Sequence, residues 1–388
     1  MSAEQINLNS DIQKLLDEGY SVILENGCIV VYDVPYLDSS LSVVEDGMLV
    51  DAYPNSDHTF HFSSTPHKTD GKTLHVANAV TGWNGFDVSV RLSFKRKKDD
   101  GSDDAYTDYY DKVTHYINVI SAHALSKKPD LMIQKHRPRD TSTQTDTPLM
   151  YEDANSSRAG VNHVSNKLRG KKIAIIGIGG TGSYVLDLVS KTLVDEIHIF
   201  DSDTFHTHNA FRSPGASSIE ELNSAINKVS YFGSVYSKMH KRIIPHEYAV
   251  NETVVQNEMT DFDFVFVCID GGDSKQNIIN KLIEIGVPFI DSGIGVSEVD
   301  SAITGITRIT TVTSLKNDHL ARRIPFSGNA DGVYQSNIQI AELNALTASL
   351  AVIKWKRLCG FYHDLETEHH VTYIIDTNTL TNDEKANA

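Results

Sequence analysis

Cysteine is scarce in this chain. Cys28, Cys268 and Cys359 are the three cysteines among 388 residues, and none belongs to a C-x-x-C motif. Structural zinc sites commonly use pairs of such motifs, and disulfide frameworks need several spaced pairs. We therefore expect no structural zinc and no disulfide framework. A sparse, odd number of cysteines is typical of a reducing compartment, which predicts a cytoplasmic protein.

Long apolar runs and positive charge are also scarce. No apolar run reaches the roughly 18 residues that cross a bilayer. The N-terminal stretch lacks the basic-then-apolar order of a signal peptide. The 51 acidic residues exceed the 35 Lys and Arg residues, which gives a net charge of −16. This balance argues against nucleic acids and anionic membranes as partners.

The hydrophobic pattern divides the chain into two parts. Residues 1–135 contain short strand-like runs and helical patterns, which predicts a smaller, strand-rich α+β domain. The polar stretch 136–150 contains a proline and is predicted to be a linker. From 151 to 388 strand and helix patterns alternate. That alternation predicts an α/β domain with a Rossmann-like, doubly wound and mostly parallel sheet.

Within the second domain the periodicity predicts particular elements. Apolar runs indicate strands, and a 3.6-residue spacing of apolar positions indicates helices. The expected strands lie at 173–177, 196–201, near 249–254, and at 263–269 and 287–291. The expected helices lie at 151–168, 181–192, 219–241, 273–285 and 333–359.

A glycine-rich turn follows the first of these strands. The segment 171–183, KKIAIIGIGGTGS, leads from apolar residues into Gly177, Gly179, Gly180 and Gly182, and then into a helical pattern. Glycines let a backbone approach phosphates, and the free N–H groups of a helix start bind anions. The segment therefore predicts a nucleotide site. The glycine loop alone leaves NAD and ATP both open.

Charged residues further along the chain bear on the choice of nucleotide. Asp201 ends the next strand pattern, where a carboxylate can bind ribose hydroxyls. Arg212 and Lys228 follow, and Asp270 ends the apolar run FVFVCID. Phosphoryl chemistry needs cations to neutralise phosphates and a carboxylate to hold Mg²⁺. Because hydride transfer needs neither, the pattern favours displacement at the α-phosphate of ATP.

These motifs together resemble the ThiF/MoeB and ubiquitin-activating, or E1-like, superfamily. That pattern combines a G-x-G-G-x-G loop, a D-x-D strand end, an N-x-x-R box, a downstream lysine, and a strand-terminal aspartate followed by a basic residue. Beyond the glycines, the matching residues are Asp201, Asp203, Asn209, Arg212, Lys228, Asp270 and Lys275. The resemblance covers residues 155–312 firmly and the rest of the C-terminal half loosely.

The resemblance implies adenylation. The C-terminal carboxylate of a ubiquitin-like or sulfur-carrier protein would attack the α-phosphate of Mg·ATP and give an acyl-adenylate and pyrophosphate. It implies Arg212, Lys228 and Asp270 as catalytic residues, with Asp270 holding Mg²⁺. The implied ATP-binding residues are Gly177, Gly179, Gly180, Gly182, Asp201, Asp203, Asn209 and Lys275.

The resemblance also implies partners. In relatives the arginine box often reaches the ATP of a neighbouring subunit, which implies a homodimer. The segment 290–296, IDSGIGV, is similar to the strand-then-glycine segment beside the substrate tail. The N-terminal domain resembles a module of bacterial ThiF-domain proteins in prokaryotic ubiquitin-like conjugation systems. We therefore expect it to recruit the ubiquitin-like protein or an E2-like carrier enzyme, or to support the dimer, in a setting of bacterial antiviral defence.

One family feature has weak candidates here, the cysteine that accepts the activated carboxylate as a thioester. Cys268 lies in a predicted core strand. Cys359 has basic neighbours, but the end of a helix disfavours a thiolate. Three alternatives stay open: adenylation of a small molecule, peptide or RNA group; a nucleotide-binding scaffold with decayed catalysis; and an NAD-dependent dehydrogenase. Gln335, Asn337 and Gln339 are expected to face the site or a partner subunit.

Overall fold

The computed structural model describes residues 10–54, 58–98, 100–101, 103–136, 138, 140–142, 145–159, 161–326 and 338–385. The described residues form two compact units. The first comprises those within 1–139 and 153–160, and the second comprises those within 140–152 and 161–388. No helix in the described ranges has the length and apolar composition that a membrane span requires.

The first unit is built on a six-stranded antiparallel sheet in the order β1-β2-β3-β4-β6-β5. Its strands are β1 (Ser21–Glu25), β2 (Cys28–Leu37), β3 (Val43–Ala52), β4 (Thr59–Phe62), β5 (Val76–Ala79) and β6 (Val90–Ser93), with a separate two-stranded ribbon of β7 (Arg96–Lys97) and β8 (Asp103–Asp104). Its helices are α1 (Ser10–Asp17), α2 (Tyr109–Lys127) and α3 (Ala154–Arg158). The predicted strand-rich α+β character is confirmed.

Helix α2 provides the core contacts of this sheet. It begins after Asp108, whose side chain accepts a hydrogen bond from the backbone N–H of Asp111 at 2.7 Å and so caps the first turn. The buried side chains Tyr116 and Ile120 lie in the same apolar core as Phe60. Helix α2 therefore covers one face of the sheet because its apolar positions recur at helical spacing.

The second unit contains an eight-stranded sheet with helices on both faces. Its strands are β9 (Lys172–Ile176), β10 (Glu196–Phe200), β11 (Ile243–His246), β12 (Phe264–Val267), β13 (Phe289–Val299), β14 (Ala302–Val312), β15 (Glu368–Ile374) and β16 (Thr379–Lys385). Its helices are α4 (Asn162–Ser165), a 3₁₀ turn at Asn166–Leu168, α5 (Gly180–Val189), α6 (Thr207–Ala210), α7 (Ile219–Asn223), α8 (Lys228–Tyr236), α9 (Glu252–Glu258), α10 (Asp273–Glu284), α11 (Leu320–Arg323) and α12 (Ala341–Leu358).

The strand order fixes where a ligand can bind. It runs β11-β10-β9-β12-β13-β14-β15-β16, with parallel pairing from β11 to β13 and antiparallel pairing beyond. The chain moves outward in one direction from β9 to β11 and then restarts on the other side of β9 at β12. In doubly wound sheets, ligands bind at the carboxyl ends of the strands beside such a reversal. The predicted doubly wound, mostly parallel sheet is confirmed.

Three elements predicted between residues 151 and 254 differ from the structure. The strand expected near 249–254 is wrong, because β11 lies earlier and the side chain of Asn251 accepts a bond from the N–H of Val254 and caps α9 instead. The helix expected over 219–241 is divided into α7 and α8. Ala225 has a φ of 49° and Asn227 caps α8, so the chain turns between them. The helix expected over 151–168 is present as short helical segments.

A buried ion pair in the first unit gives a test of its packing. Lys112 Nζ lies 2.6 Å from Asp51 Oδ2, and both side chains are less than a tenth exposed. Asp51→Ala leaves the Lys112 ammonium buried without this carboxylate, which we expect to lower the free energy of unfolding by about 3–5 kcal/mol. Hydrogen exchange of α2 peptides in a urea series measures this loss. Glu45→Ala removes the exposed partner of Lys128 and should leave the exchange unchanged; equal effects of the two variants would contradict the assignment.

Candidate functional site

A pocket of about 390 Å³ lies at the carboxyl edge of the parallel strands, beside the strand-order reversal. It is bounded by the turns after β9, β10 and β12 and by β13 and β14. The predicted site residues that line it are Gly177, Gly179, Gly180, Asp201, Asp203, Arg212, Lys228, Asp270 and Lys275. The fold therefore brings together residues, from Gly177 to Lys275, that lie almost 100 positions apart in the sequence.

The glycine turn after β9 is closely packed except at one position. Gly177 has a φ of +87°, and a Cβ on it would lie 2.7 Å from the carbonyl oxygen of Cys268. A Cβ on Gly182 would overlap the carbonyl oxygen of Gly177, so Gly182 packs the helix onto the strand and is not a lining residue. Gly179 has open space around it and lies at the start of α5. The turn can thus admit a phosphate beside Gly179 and the N-terminus of α5.

Asp201 joins this turn to the end of β10. Its Oδ2 accepts a hydrogen bond from the N–H of Ile178 at 2.8 Å, and its Oδ1 accepts one from the N–H of Asp203 at 2.8 Å. Lys228 Nζ lies 2.6 Å from Asp203 Oδ2 and 3.5 Å from Asp201 Oδ1. These contacts hold two carboxylates and an ammonium at one end of the pocket.

Arg212 has a donor without a protein acceptor. Its Nε is buried and has no hydrogen-bond partner among the described residues. A buried donor left unpaired costs about 1–3 kcal/mol, so an anion in the pocket would stabilise this arrangement. Asn209, predicted to bind phosphate, does not line the pocket. Its Oδ1 accepts a bond from the N–H of His206 at 2.9 Å and caps α6, the short helix that ends just before Arg212.

The other end of the pocket holds a second set of charges. Lys275 Nζ lies 2.5 Å from Asp291 Oδ1, and Arg308 Nη1 lies 2.7 Å from Asp291 Oδ2. Asp291 is fully buried, and Lys275 is almost so. Asp270, which follows β12, is exposed and lines the pocket between the two sets of charges. An exposed carboxylate there can reach a metal that is bound to phosphates.

Three residues of the site were missed from the sequence. Asn344, on α12, accepts a hydrogen bond from the Thr181 hydroxyl at 2.9 Å, and a Cβ on Gly180 would overlap its side chain. Asp291 and Arg308 are the other two. Asp291 ends a predicted strand and Arg308 lies within β14, and an ionisable residue in a core strand needs a partner, which is the signal that could have found them. Gln339 lines the pocket as expected, whereas Gln335 and Asn337 lie outside the described residues.

Neither cysteine of the second unit is placed as a reactive thiol. Burial raises the pKa of the Cys268 thiol to about 12. Cys359 lines a separate pocket of about 710 Å³, together with Lys171 and Asp263, which precede β9 and β12. That pocket lies at the amino edge of the sheet, opposite the glycine turn. Burial also raises the pKa of Cys359 to about 11, so the structure does not bring this candidate nucleophile to the site.

Charge in the main pocket is paired at both ends. Asp201 and Asp203 face Lys228 at one end, and Asp291 faces Lys275 and Arg308 at the other. Among the described residues, no group of three or more His, Cys, Asp or Glu side chains is arranged to hold a metal. A magnesium ion that arrives with a nucleotide needs only one or two carboxylates, since phosphates and waters complete its coordination.

The family comparison agrees with this geometry. The model of the ThiF family matches residues 153–374, which is more than half of the chain. The chain belongs to the ThiF family. A second model, described as a domain of unknown function (DUF6791), matches residues 10–154. The predicted family is thereby confirmed.

Several known proteins are similar to this ThiF-family chain. Ubiquitin-like modifier-activating enzyme 5 of Aedes aegypti is 22% identical over 163 residues, which cover 38% of this chain and 39% of that enzyme. Its counterpart from Oryza sativa subsp. japonica is 21% identical over 164 residues, covering 38% of this chain and 37% of that enzyme. The chain thus spans about two fifths of the length of these curated relatives. E. coli MccB with ATP has a TM-score of 0.48 at 17% identity, covering 61% of this chain and 73% of MccB.

The glycine turn allows a matched pair of substitutions. We expect Gly182→Ala to lower the free energy of unfolding of the second unit by about 1–3 kcal/mol, since the new methyl group overlaps the Gly177 carbonyl. Gly179→Ala places its methyl group in open space and should change that free energy little. Urea unfolding followed by hydrogen exchange of β9 and α5 peptides measures both. Equal stabilities of the two variants would show that the close contact is absent.

The raised pKa of Cys359 predicts slow alkylation. Because the thiolate is the reacting species, iodoacetamide near pH 8 should modify Cys359 about 100-fold more slowly than a thiol of ordinary pKa near 8.5. The rate should rise with pH until about pH 11. Peptide mass spectrometry measures it, with the same chain unfolded in urea as the reference. Rapid alkylation of the folded chain would overturn this assignment.

Proposed function

We propose that this protein activates a carboxylate by adenylation with Mg·ATP, and that its substrate is the C-terminus of a ubiquitin-like or sulfur-carrier protein. One observation carries the proposal. A glycine turn at a helix N-terminus, a carboxylate pair at the neighbouring strand end, and an arginine with an unpaired buried donor converge on one pocket. Membership of the ThiF family supports the same chemistry.

The reaction is a displacement at phosphorus. A carboxylate oxygen forms a bond to the α-phosphorus, and the bond from that phosphorus to the bridging oxygen breaks. The electron pair of the broken bond leaves with pyrophosphate, so the products are an acyl-adenylate and pyrophosphate. No proton is transferred. Catalysis therefore requires alignment of the reactants and neutralisation of phosphate charge, which cations and a metal supply.

We infer one orientation of bound ATP from the pocket residues. Asp201, at the end of β10, would accept hydrogen bonds from the ribose hydroxyls in addition to those from the turn. The open space at Gly179 and the N-terminus of α5 suit a phosphate. Arg212 can donate its unpaired Nε–H to a phosphate oxygen. Asp270 is the residue that would hold Mg²⁺, whose role is to neutralise the phosphates.

Some parts of the proposal rest on the resemblance alone. These are the E2-like carrier, the recruiting role of the N-terminal unit, the antiviral setting and the homodimer.

ATP–pyrophosphate exchange tests the proposal. The full chain is incubated with ATP, Mg²⁺, labelled pyrophosphate and candidate proteins that end in Gly-Gly. We expect exchange that depends on the added protein, and loss of at least 100-fold in Asp270→Ala because the metal and phosphates lose their carboxylate. Asp261→Ala changes an exposed aspartate before β12, outside the pocket lining, and should retain exchange.

The outcomes distinguish the alternatives. Titration of the chain with a non-hydrolysable ATP analogue shows whether nucleotide binds independently of exchange. Binding without exchange across the candidate proteins would favour a scaffold or a different acyl substrate. Preference for NAD over ATP would overturn the proposal in favour of a dehydrogenase. Exchange that is unchanged in Asp270→Ala would leave the activity standing but contradict the site assignment.

A further inference from the structure

Strands β13 and β14 extend beyond the carboxyl edge of the parallel sheet. Asp291 is the last residue of β13 that pairs with β12. From there Ser292–Val299 pairs only with β14, in which Gly293 lies opposite Arg308. Gly293 and Arg308 therefore form part of a wall of antiparallel strands on the far side of the pocket from Asp201.

The guanidinium of Arg308 is held in one place by this wall. Its Nη1 donates to Asp291 Oδ2 at 2.7 Å and to Thr310 Oγ1 at 3.2 Å. A Cβ on Gly293 would lie 2.8 Å from Nη2 and 3.0 Å from Nε, so the group lies against the backbone of Gly293. A side chain at position 293 would displace it. The absence of that side chain and the two bonds to Nη1 fix the orientation of the fork.

The remaining donors of Arg308 are available to a ligand. Among the described residues, the structure gives hydrogen-bond acceptors to Nη1 but none to Nη2 or Nε. Asp291 is fully buried and shares its single negative charge between Arg308 and Lys275. The three side chains together carry a net charge of +1 at the pocket wall. A fixed cationic group with free donors is suited to a planar, bidentate anion such as a carboxylate.

The position of Arg308 separates it from the nucleotide residues. Asp201 follows β10 and Arg308 lies on β14, with β9, β12 and β13 between them. Four spacings of about 4.8 Å place these strands roughly 19 Å apart. The glycine turn after β9 lies between the two. A nucleotide that binds Asp201 through its ribose and the turn through its phosphates thus has its α-phosphate directed towards the Arg308 wall.

We propose that Arg308 binds the carboxylate of the acyl substrate before adenylation, and that Asp291 is a positioning residue that orients Arg308. The inference rests on the proposed function. One carboxylate oxygen accepts from the free donors of Arg308, and the other attacks the α-phosphorus with pyrophosphate as the leaving group. After the attack the Arg308-bound oxygen is the carbonyl oxygen of the acyl-adenylate, so the same contact persists in the product.

A stable mimic of that product tests the role of Arg308. Glycylglycyl-sulfamoyl-adenosine carries the acyl carbonyl, whereas AMP carries the nucleotide alone. Titration calorimetry of both with the full chain gives the gain in affinity from the acyl arm. For the native chain we expect a gain in affinity of about 10- to 100-fold, which is typical of a charge-assisted hydrogen bond. Arg308→Gln should lose this gain while its affinity for AMP stays unchanged. Arg308→Lys should restore only part of the gain in affinity, because an ammonium lacks the planar, paired donors of a guanidinium.

The controls keep this inference separate from the proposed function. Arg322→Gln alters an exposed arginine outside the pocket lining and should retain the full gain. Thermal unfolding of each variant checks that the fold is intact. Asp291→Asn should reduce the gain in affinity from the acyl arm and leave the affinity for AMP unchanged. An Arg308→Gln variant that keeps the gain, or loses AMP affinity in parallel, overturns the assignment. A native chain that binds neither ligand contradicts the proposed function itself.

Discussion

The candidate site depends on the close approach of two backbones. The end of strand β9 and the start of helix α5 touch where Gly182 meets the Gly177 carbonyl, and Gly177 in turn lies against the carbonyl of Cys268 after β12. The end of β9, the start of α5 and the turn after β12 are thereby held in van der Waals contact at the strand-order reversal. Asp201 then binds the N–H of Ile178, so the carboxylate that faces the pocket is attached to the same turn. The carboxylate pair at this end of the pocket takes its position from this contact, since the N–H of Asp203 in turn donates to Asp201.

The parts of the site that could be predicted are those that directly follow a strand recognisable in the sequence. The glycine turn, Asp201 and Asp270 each end a strand, and strand ends can be identified from apolar runs. Asn344, Asp291 and Arg308 could not be placed, because their roles depend on which strand or helix packs beside which. Arg308 lies among the β-branched residues of β14, and a cation within a core strand needs a partner.

The fold was predictable for a similar reason, and its errors are local. Alternation of strand and helix patterns specifies a doubly wound sheet regardless of where each element begins. The predictions of a strand near 249–254 and of a single helix over 219–241 both failed where an asparagine side chain caps a helix. Asn251 and Asn227 decide those boundaries through hydrogen bonds to backbone N–H groups. Apolar periodicity carries no information about such bonds.

The path of the chain between the two units has a practical consequence. Residues 140–152 belong to the second unit and residues 153–160 to the first, so the chain passes between the units three times. Lys241 donates its backbone N–H to the carbonyl of Pro148 at 2.7 Å and its Nζ to the carbonyl of Thr147 at 3.0 Å. A fragment that starts at Val161 would leave the backbone N–H and the ammonium of Lys241 without these acceptors. A fragment that ends at residue 139 would lack α3. No single cut in the chain can therefore yield both units complete, and each must be studied within the whole protein.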